Sequence, residues 1–210
     1  LHGISQVATG MGIGKPVIRG LRGNRVLVYN QGLRMENQQF GDEHGLGVDE
    51  NSIESVELIK GPASMLYGSD AMGGVLYFNP IRFAETNTSV FEFGSSYSTN
   101  TLGNKTFFNI KKSLENWKFL VNANTTQHSD YKTGDKNRTF NSRFREKAIN
   151  LATAYSNQDM SATLRVQQTD SDIGIPENIP VNERFKTPEV PFQNIKNQLI
   201  SLQNIFLLSK

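Results

Sequence analysis

The stretch from Ser52 to Asn79 constrains this chain most, because it changes structure type repeatedly within a few residues. From Ile53 an apolar alternation continues through Val56, Leu58 and Lys60 on one face, with Glu57 and Ile59 on the other. That pattern reads as a strand. Gly61-Pro62 ends it, since proline has no N–H for a ladder and glycine accepts turn geometry. Pro62 also pre-sets φ for a helical start, so Ala63-Ser64-Met65-Leu66 forms one turn, and Tyr67-Gly68 closes it with a residue free to take positive φ. Gly73-Gly74 then allows close backbone approach before the strand Val75-Leu76-Tyr77-Phe78.

This order of residues resembles the end of the plug domain of TonB-dependent outer-membrane receptors: a strand, an I-(K/R)-G-P-A-S turn, an L-Y-G-S segment and an A-x-G-G-V strand. Ile59 to Val75 matches it without a gap. Pro16-Val17-Ile18-Arg19-Gly20 resembles the family's I-R-G strand, and Arg25 to Gly32 its next strand and turn. Asn30-Gln31-Gly32 stands where many relatives have Asp-Gly directly, a difference expected to change the turn and not the fold. Arg19, Gly20, Gly61, Pro62, Tyr67, Gly68, Gly73 and Gly74 carry the motif.

The resemblance implies an α+β plug domain over residues 1–80. Residues 81–210 would then be the first strands and extracellular loops of a transmembrane antiparallel β-barrel. A lumen wide enough to hold a plug needs about 22 strands. The chain is therefore expected to be an excerpt, lacking an export signal and the segment that meets TonB. With two strand edges unpaired in lipid, it is expected to aggregate or stay unfolded if expressed alone.

Composition narrows the remaining choices. There is no cysteine, so disulfides, thiol nucleophiles and cysteine metal sites are excluded. A net charge of +2 leaves no nucleic-acid footprint. No apolar run is long enough for a transmembrane helix, which says nothing about strands that alternate between lipid and lumen. Gly10 to Lys15 invites comparison with a phosphate loop, but Thr9 and Pro16 stand where that loop needs glycine and Ser or Thr; a flexible loop is expected there.

After Asn79-Pro80 the chain alternates. Phe91, Phe93 and Tyr97 oppose Glu92 and Ser96; Trp117, Phe119, Val121 and Ala123 oppose Lys118, Asn122 and Asn124. Ile149, Leu151, Thr153 and Tyr155 oppose Asn150 and Ser156; Ala162, Leu164 and Val166 oppose Thr163, Arg165 and Gln167; Ile200, Leu202, Phe206 and Leu208 oppose Ser201 and Gln203. A face this rich in Asn, Gln, Thr, Lys and Arg suits a wet lumen. Leu114-Glu115-Asn116 and Asn157-Gln158-Asp159 read as short turns, and Ser129 to Phe144 and Ser171 to Lys196 as long loops, all the long gaps on one side. Asp170, Asp172 and Glu177 are placed in the longer, proline-stiffened loop, where they either are solvated or hold a cation. A soluble β-sandwich alternates in the same way and is the competing fold.

Two clusters bear on binding. Arg19, Arg22, Arg25 and Arg34 either pair with carboxylates of the plug or wall, such as Glu54 and Glu57, or meet an anionic ligand. Gln38, Gln39, Asp42, Glu43 and His44 lie in a glycine-punctuated loop. Plug loops of this kind meet the substrate in the resembling family. Asp42, Glu43 and His44 offer oxygen and nitrogen to a metal or metal chelate, with His44 as the metal ligand; the alternative is a turn in which Asp42 or His44 bonds nearby backbone.

The expected function is that of an outer-membrane active transporter of a Gram-negative bacterium that imports a metal ion, haem or ferric chelate. Its partners would be the TonB-ExbB-ExbD complex, outer-membrane lipid and the small ligand. The alternatives are an importer of an oligosaccharide or peptide, a surface adhesion module, and a soluble β-sandwich binding module. No Gly-x-Ser-x-Gly elbow or His-Glu-x-x-His helix is present, and His2, His44 and His128 are far apart, so neither catalysis nor a cofactor is expected.

Overall fold

The computed structural model describes residues 3–10, 12–36, 41, 45–177, 179–181 and 185–207. Strands β1 (Ile4–Gly10) and β2 (Ile13–Ile18) pair as an antiparallel hairpin. This corrects the flexible loop expected up to Lys15: Ile13 and Ile18 are fully buried, and their burial holds the glycine-rich segment in a ladder. At Arg19 and Gly20, with φ of 51° and 79°, the chain turns back, and Ile18 and Leu21 exchange backbone hydrogen bonds of 2.9 Å.

Strands β3 (Val26–Asn30), β4 (Leu33–Met35), β5 (Ile53–Ile59) and β6 (Gly74–Pro80) form a sheet of order β4-β3-β6-β5, in which β3 and β6 are parallel. Both of its faces are covered. Leu27, Ala71 and Val75 form one core with Tyr29, Ile59 and Tyr67, and Val28, Leu76 and Phe78 form the other with Ile53 and Leu58 among their neighbours. A strand buried on both sides reads as a continuous apolar run, as β3 does. The β3–β4 turn at Gln31 and Gly32 takes positive φ at both residues, the geometry of a tight two-residue hairpin. In β5 the ladder slips between Ile53 and Ser55. That bulge explains why Ile53 and Leu58, at odd spacing, share one core.

Gly61–Tyr67 forms a 3-10 turn opened by Pro62 and closed by Gly68 at φ 116°. Ser64 Oγ staples it by hydrogen bonds of 2.8 Å to the Gly61 carbonyl and 2.9 Å to that of Ala71. At Gly73 a Cβ would stand 2.8 Å from the Arg25 carbonyl oxygen, so only glycine fits. Of the arginines expected to find carboxylates, Arg34 bonds Asp70 and Glu36, each at 3.1 Å. The Glu57 carboxylate instead accepts from Asn79 Nδ2 at 2.7 Å, and Glu54 from the Arg82 backbone at 3.5 Å.

Strands β7 (Ser89–Ser98), β8 (Gly103–Ser113), β9 (Trp117–His128), β11 (Phe144–Ser156), β12 (Met160–Gly174) and β14 (Phe192–Phe206) form one antiparallel sheet of order β14-β12-β11-β9-β8-β7. The turns at residues 114–116 and 157–159 fall where expected. Strand β8 does not follow from the alternation, because the adjacent pairs Phe107-Phe108 and Lys111-Lys112 break it. Large apolar side chains line the outward face. Phe91, Phe93, Leu202 and Phe206 are each more than 60% exposed, which a sandwich would not leave uncovered. Near the short turns Trp117, Phe119 and Tyr155 cluster, with ring centroids 6.1 and 5.0 Å from that of Trp117, as at a membrane interface. Among the described residues no helix is long and apolar enough to cross a membrane.

The first long loop falls where expected, between His128 and Phe144; the second is shorter than expected, and the two are clasped together. β12 runs to Gly174 and β14 begins at Phe192, so Asp170 and Asp172 are strand residues; Asp172 is bonded to Arg145 at 2.6 Å and Asn194 at 2.5 Å. The short strands β10 (Arg138–Thr139) and β13 (Pro180–Val181) pair between the loops. Fully buried Asn141 reaches across, donating to the carbonyls of Glu189 and Pro191 at 2.7 Å and accepting from the Glu189 N–H at 3.0 Å. Arg143 lies between the rings of Phe140 and Phe185 and pairs with Asp130 at 3.1 Å. Burial pushes the Asp130 carboxyl above its usual range, against the opposing pull of the Arg143 guanidinium. Asn141→Ala should weaken the clasp by about 2 kcal/mol, roughly a 30-fold rise in loop opening. Amide hydrogen exchange at Glu189 in the full-length protein would measure it; unchanged protection there would show that Asn141 does not hold the loops.

Candidate functional site

The N-terminal sheet is set against the inward face of the six-stranded sheet, and antiparallel register orders that face into rows. One row reads Glu92, Asn109, Asn122, Asn150, Gln167 across β7, β8, β9, β11 and β12. Its side chains bond along the row: Asn150 Nδ2 donates to Asn122 Oδ1 at 2.6 Å, Asn122 Nδ2 to Asn109 Oδ1 at 2.5 Å, and Asn109 Nδ2 to Glu92 Oε2 at 2.9 Å. Buried amides are stable only when so paired.

Onto this row docks the segment ahead of β5. Asp49 is fully buried, and its carboxylate accepts four hydrogen bonds. Oδ1 takes the Asn51 backbone N–H at 3.0 Å and Asn51 Nδ2 at 3.1 Å; Oδ2 takes Asn124 Nδ2 at 2.8 Å and Asn150 Nδ2 at 3.1 Å. All four lone-pair positions of the carboxylate are therefore used. Gln167 extends the contact, donating to Ser52 Oγ at 3.3 Å and accepting from Asn30 at 3.2 Å and Gln31 at 3.1 Å. Toward the loop end Asn197 Nδ2 donates to the Gly47 carbonyl at 2.8 Å, and Lys105 pairs with Glu50. Toward the turn end the character changes: Ile81 packs on Leu120 and Ala152, and Arg165 lies over Phe83, 5.0 Å from the ring centroid.

The motif residues are brought together elsewhere. Arg19, Gly61, Gly68 and Gly73 border one groove at the far end of the N-terminal sheet, and Tyr67 packs edge-on against Tyr29 at 5.1 Å. Their role on these contacts is to shape the backbone. Gln38, Gln39, Asp42, Glu43 and His44 lie outside the described residues, and among those described no group of three or more His, Cys, Asp or Glu is placed to hold a metal. Sequence reasoning missed Asp49, Asn109 and the docking role of Gln167. The Asn and Gln content of the polar faces was the available signal, but their alignment into one row depends on strand register.

Residues 1–75 match the family model described as the TonB-dependent receptor plug domain. Over 77 residues the chain is 38% identical to the vitamin B12 transporter BtuB of Photobacterium profundum, covering 36% of this chain and 13% of that protein. Over 62 residues it is 42% identical to the heme/hemopexin utilization protein C of Haemophilus influenzae, covering 30% and 9%. The solved copper transporter OprC superposes with a TM-score of 0.74 at 20% identity, over 97% of this chain and 30% of that one, a likeness of fold. The chain thus spans a minor part of the length of each of these three proteins. Residues 1–75 thus carry the TonB-dependent receptor plug domain, and with the strands that follow, the chain has the fold of a plug set against part of a β-barrel.

Proposed function

We propose that the protein is an outer-membrane importer of a metal ion, haem or ferric chelate, driven through contact with TonB-ExbB-ExbD in a Gram-negative bacterium. We divide it into a plug over residues 1–80 and the first barrel strands and loops over 81–210. The observation that carries the reading is the seam at Asp49: a plug that closes a wide lumen is held to the wall chiefly by neutral amides around one carboxylate. Such bonds exchange for water at small net cost, so the seam can part and re-form. The names of the relatives, vitamin B12 transporter and heme/hemopexin utilization protein, support a scarce cofactor-like or metal cargo. Gln38, Gln39, Asp42, Glu43 and His44 are proposed as the plug residues that meet it, with His44 ligating the metal.

The test is growth and uptake under iron, haem and zinc limitation, with and without the full-length receptor. Uptake of one of these that collapses when TonB is removed is the expected result; normal growth on all three without the receptor overturns the metal reading. Asp49→Ala leaves the Asn124 amide and one N–H of Asn150 without an acceptor and should weaken docking by about 3 kcal/mol. In cells carrying that variant, entry of a large antibiotic normally excluded by the outer membrane should rise while cargo binding at the surface is unchanged. An unaltered barrier would show that the plug is held elsewhere.

A further inference from the structure

The outward face of the six-stranded sheet is banded, and strand register sets the height of each band. Tyr155 pairs with Trp117 at the turn end, and nearer the loops Leu151 lies level with Val121, Ile110 and Phe91. In a barrel such a band faces acyl chains. Two outward rows further the chemistry reverses: Lys147, Asp170 and Lys196 stand side by side on β11, β12 and β14, followed by Arg145, Asp172 and Asn194. Tyr155 and Lys147 are eight residues apart on β11. That is about 27 Å of strand, which a tilt of about 40° reduces to about 21 Å, close to the height of a lipid band. The lysine row therefore stands at the level of lipid headgroups on the loop side.

The two carboxylates of this patch are committed to neighbours. Asp172 accepts from Arg145 Nε at 2.6 Å and from Asn194 Nδ2 at 2.5 Å, and Asp170 accepts from Gln168 Nε2 at 2.9 Å. The cations are freer. Lys147 and Lys196 are exposed and have no ion pair or hydrogen bond among the described residues, and Arg145 is bonded through Nε alone, leaving its two terminal nitrogens open. The lysines are two strands apart, so their α-carbons stand about 10 Å from each other, a gap that two such long side chains can close onto one phosphate. Beside them opens a cleft of about 310 Å3, between Arg145, Asp172, Phe192 and Asn194 of the strands and Thr187 and Pro188 of the loop. Phe192 gives it a flat apolar side, and the polar residues give it hydrogen-bonding groups, a combination that suits a saccharide.

We infer that Arg145, Lys147, Lys196 and this cleft hold the headgroup of a phosphorylated saccharide lipid of the outer leaflet. Its phosphate sits among the three cations, its sugar in the cleft, and its acyl chains run down over Ile149 and Leu151. The guanidinium fork matches phosphate geometry, and the lysine stems lie along apolar surface while their heads reach the charge. Continuity with the apolar band selects a lipid over a free phosphate, which gains nothing from that band. The cleft selects a saccharide lipid over a simple phospholipid, whose small headgroup would leave it unfilled. Such a lipid would brace the loop clasp, because Arg143 Nη1 donates to the carbonyl of Thr187, which borders the cleft, at 3.3 Å. The inference rests on the outer-membrane reading and adds a lipid class and the residues that hold it.

The experiment uses the full-length receptor, purified after membrane fractionation and stripped of native lipid, with variants compared at equal β-sheet circular dichroism. Native mass spectrometry measures binding of diphosphoryl lipid A, its dephosphorylated form and phosphatidylglycerol, with inorganic phosphate as competitor. The expected result is saturable binding of diphosphoryl lipid A, about tenfold weaker in a Lys147→Gln, Lys196→Gln double variant and for the dephosphorylated lipid, the scale of one charge-assisted hydrogen bond. Lys112→Gln, an exposed lysine on the same outward face at the turn end, should change nothing. Amide exchange at Thr187 and Glu189 should slow on adding diphosphoryl lipid A to the wild type and not to the double variant. Unchanged affinity in the double variant, equal loss in Lys112→Gln, equal binding of phosphatidylglycerol, or displacement by inorganic phosphate would each overturn the site and leave the outer-membrane reading standing. Recovery of the receptor outside the outer-membrane fraction would overturn that reading together with it.

Discussion

Burying the Asp49 carboxylate is the act on which the rest of the arrangement depends. An ionised carboxylate removed from water must be fully solvated by protein. Here four N–H donors do so, two from Asn51 in the plug and one each from Asn124 and Asn150 in the wall. Because half of its solvation comes from each body, Asp49 fixes where the plug sits and cannot be satisfied equally in another register. A buried ion pair would have fixed it too, but parting such a pair strands two charges in a poorly solvating medium. Amide donors leave behind only neutral groups that water can serve.

That choice explains the wall. Asn150 must aim one N–H at Asp49, and its second is taken up by Asn122, which turns to Asn109 and so to Glu92. One docking requirement thus specifies side chains across four strands. The row works only because Glu92, Asn109, Asn122 and Asn150 share one height on the sheet, which the short turns at residues 114–116 set for β8 and β9. A one-residue slip would turn the row toward lipid. On the other face the same slip would bring Phe108, Ile110, Ile149 and Leu151 into the lumen. Lipid on one side and the plug on the other therefore enforce the same register.

Much of the plug was legible in the sequence because glycine and proline act locally: Gly61-Pro62, Gly68 and Gly73-Gly74 mark backbone geometries that few other residues adopt, and the structure has them where the residues stand. The alternating strands were legible for the same local reason, apart from β8, where doubled apolar and basic residues mask the period. The N-terminal hairpin was not, since its ladder is held by the distant burial of Ile13 and Ile18 and not by anything in its glycine-rich run. Neither was the docking site. Asp49 reads as the last residue of a polar loop, and its partners Asn124 and Asn150 lie 75 and 101 residues away, brought together only by register. The clasp between the long loops escaped notice similarly: Asn141 bonds backbone carbonyls, which carry no sequence signature.

The seam is uneven, and that bears on how force would open it. Its polar part runs from Lys105 and Glu50 through Asp49 to Gln167, and its apolar part, Ile81 on Leu120 and Ala152, sits where the chain passes from plug to wall. Apolar contact strengthens as water is excluded, and covalent continuity holds the plug at that end whatever else moves. Hydrogen bonds, by contrast, can be exchanged one at a time. A pull on the plug from its N-terminal side would therefore be resisted longest beside Ile81 and would release the amide row first. Parting the amide row would need no unfolding of the β3–β6 sheet, whose two apolar cores lie clear of the wall contacts.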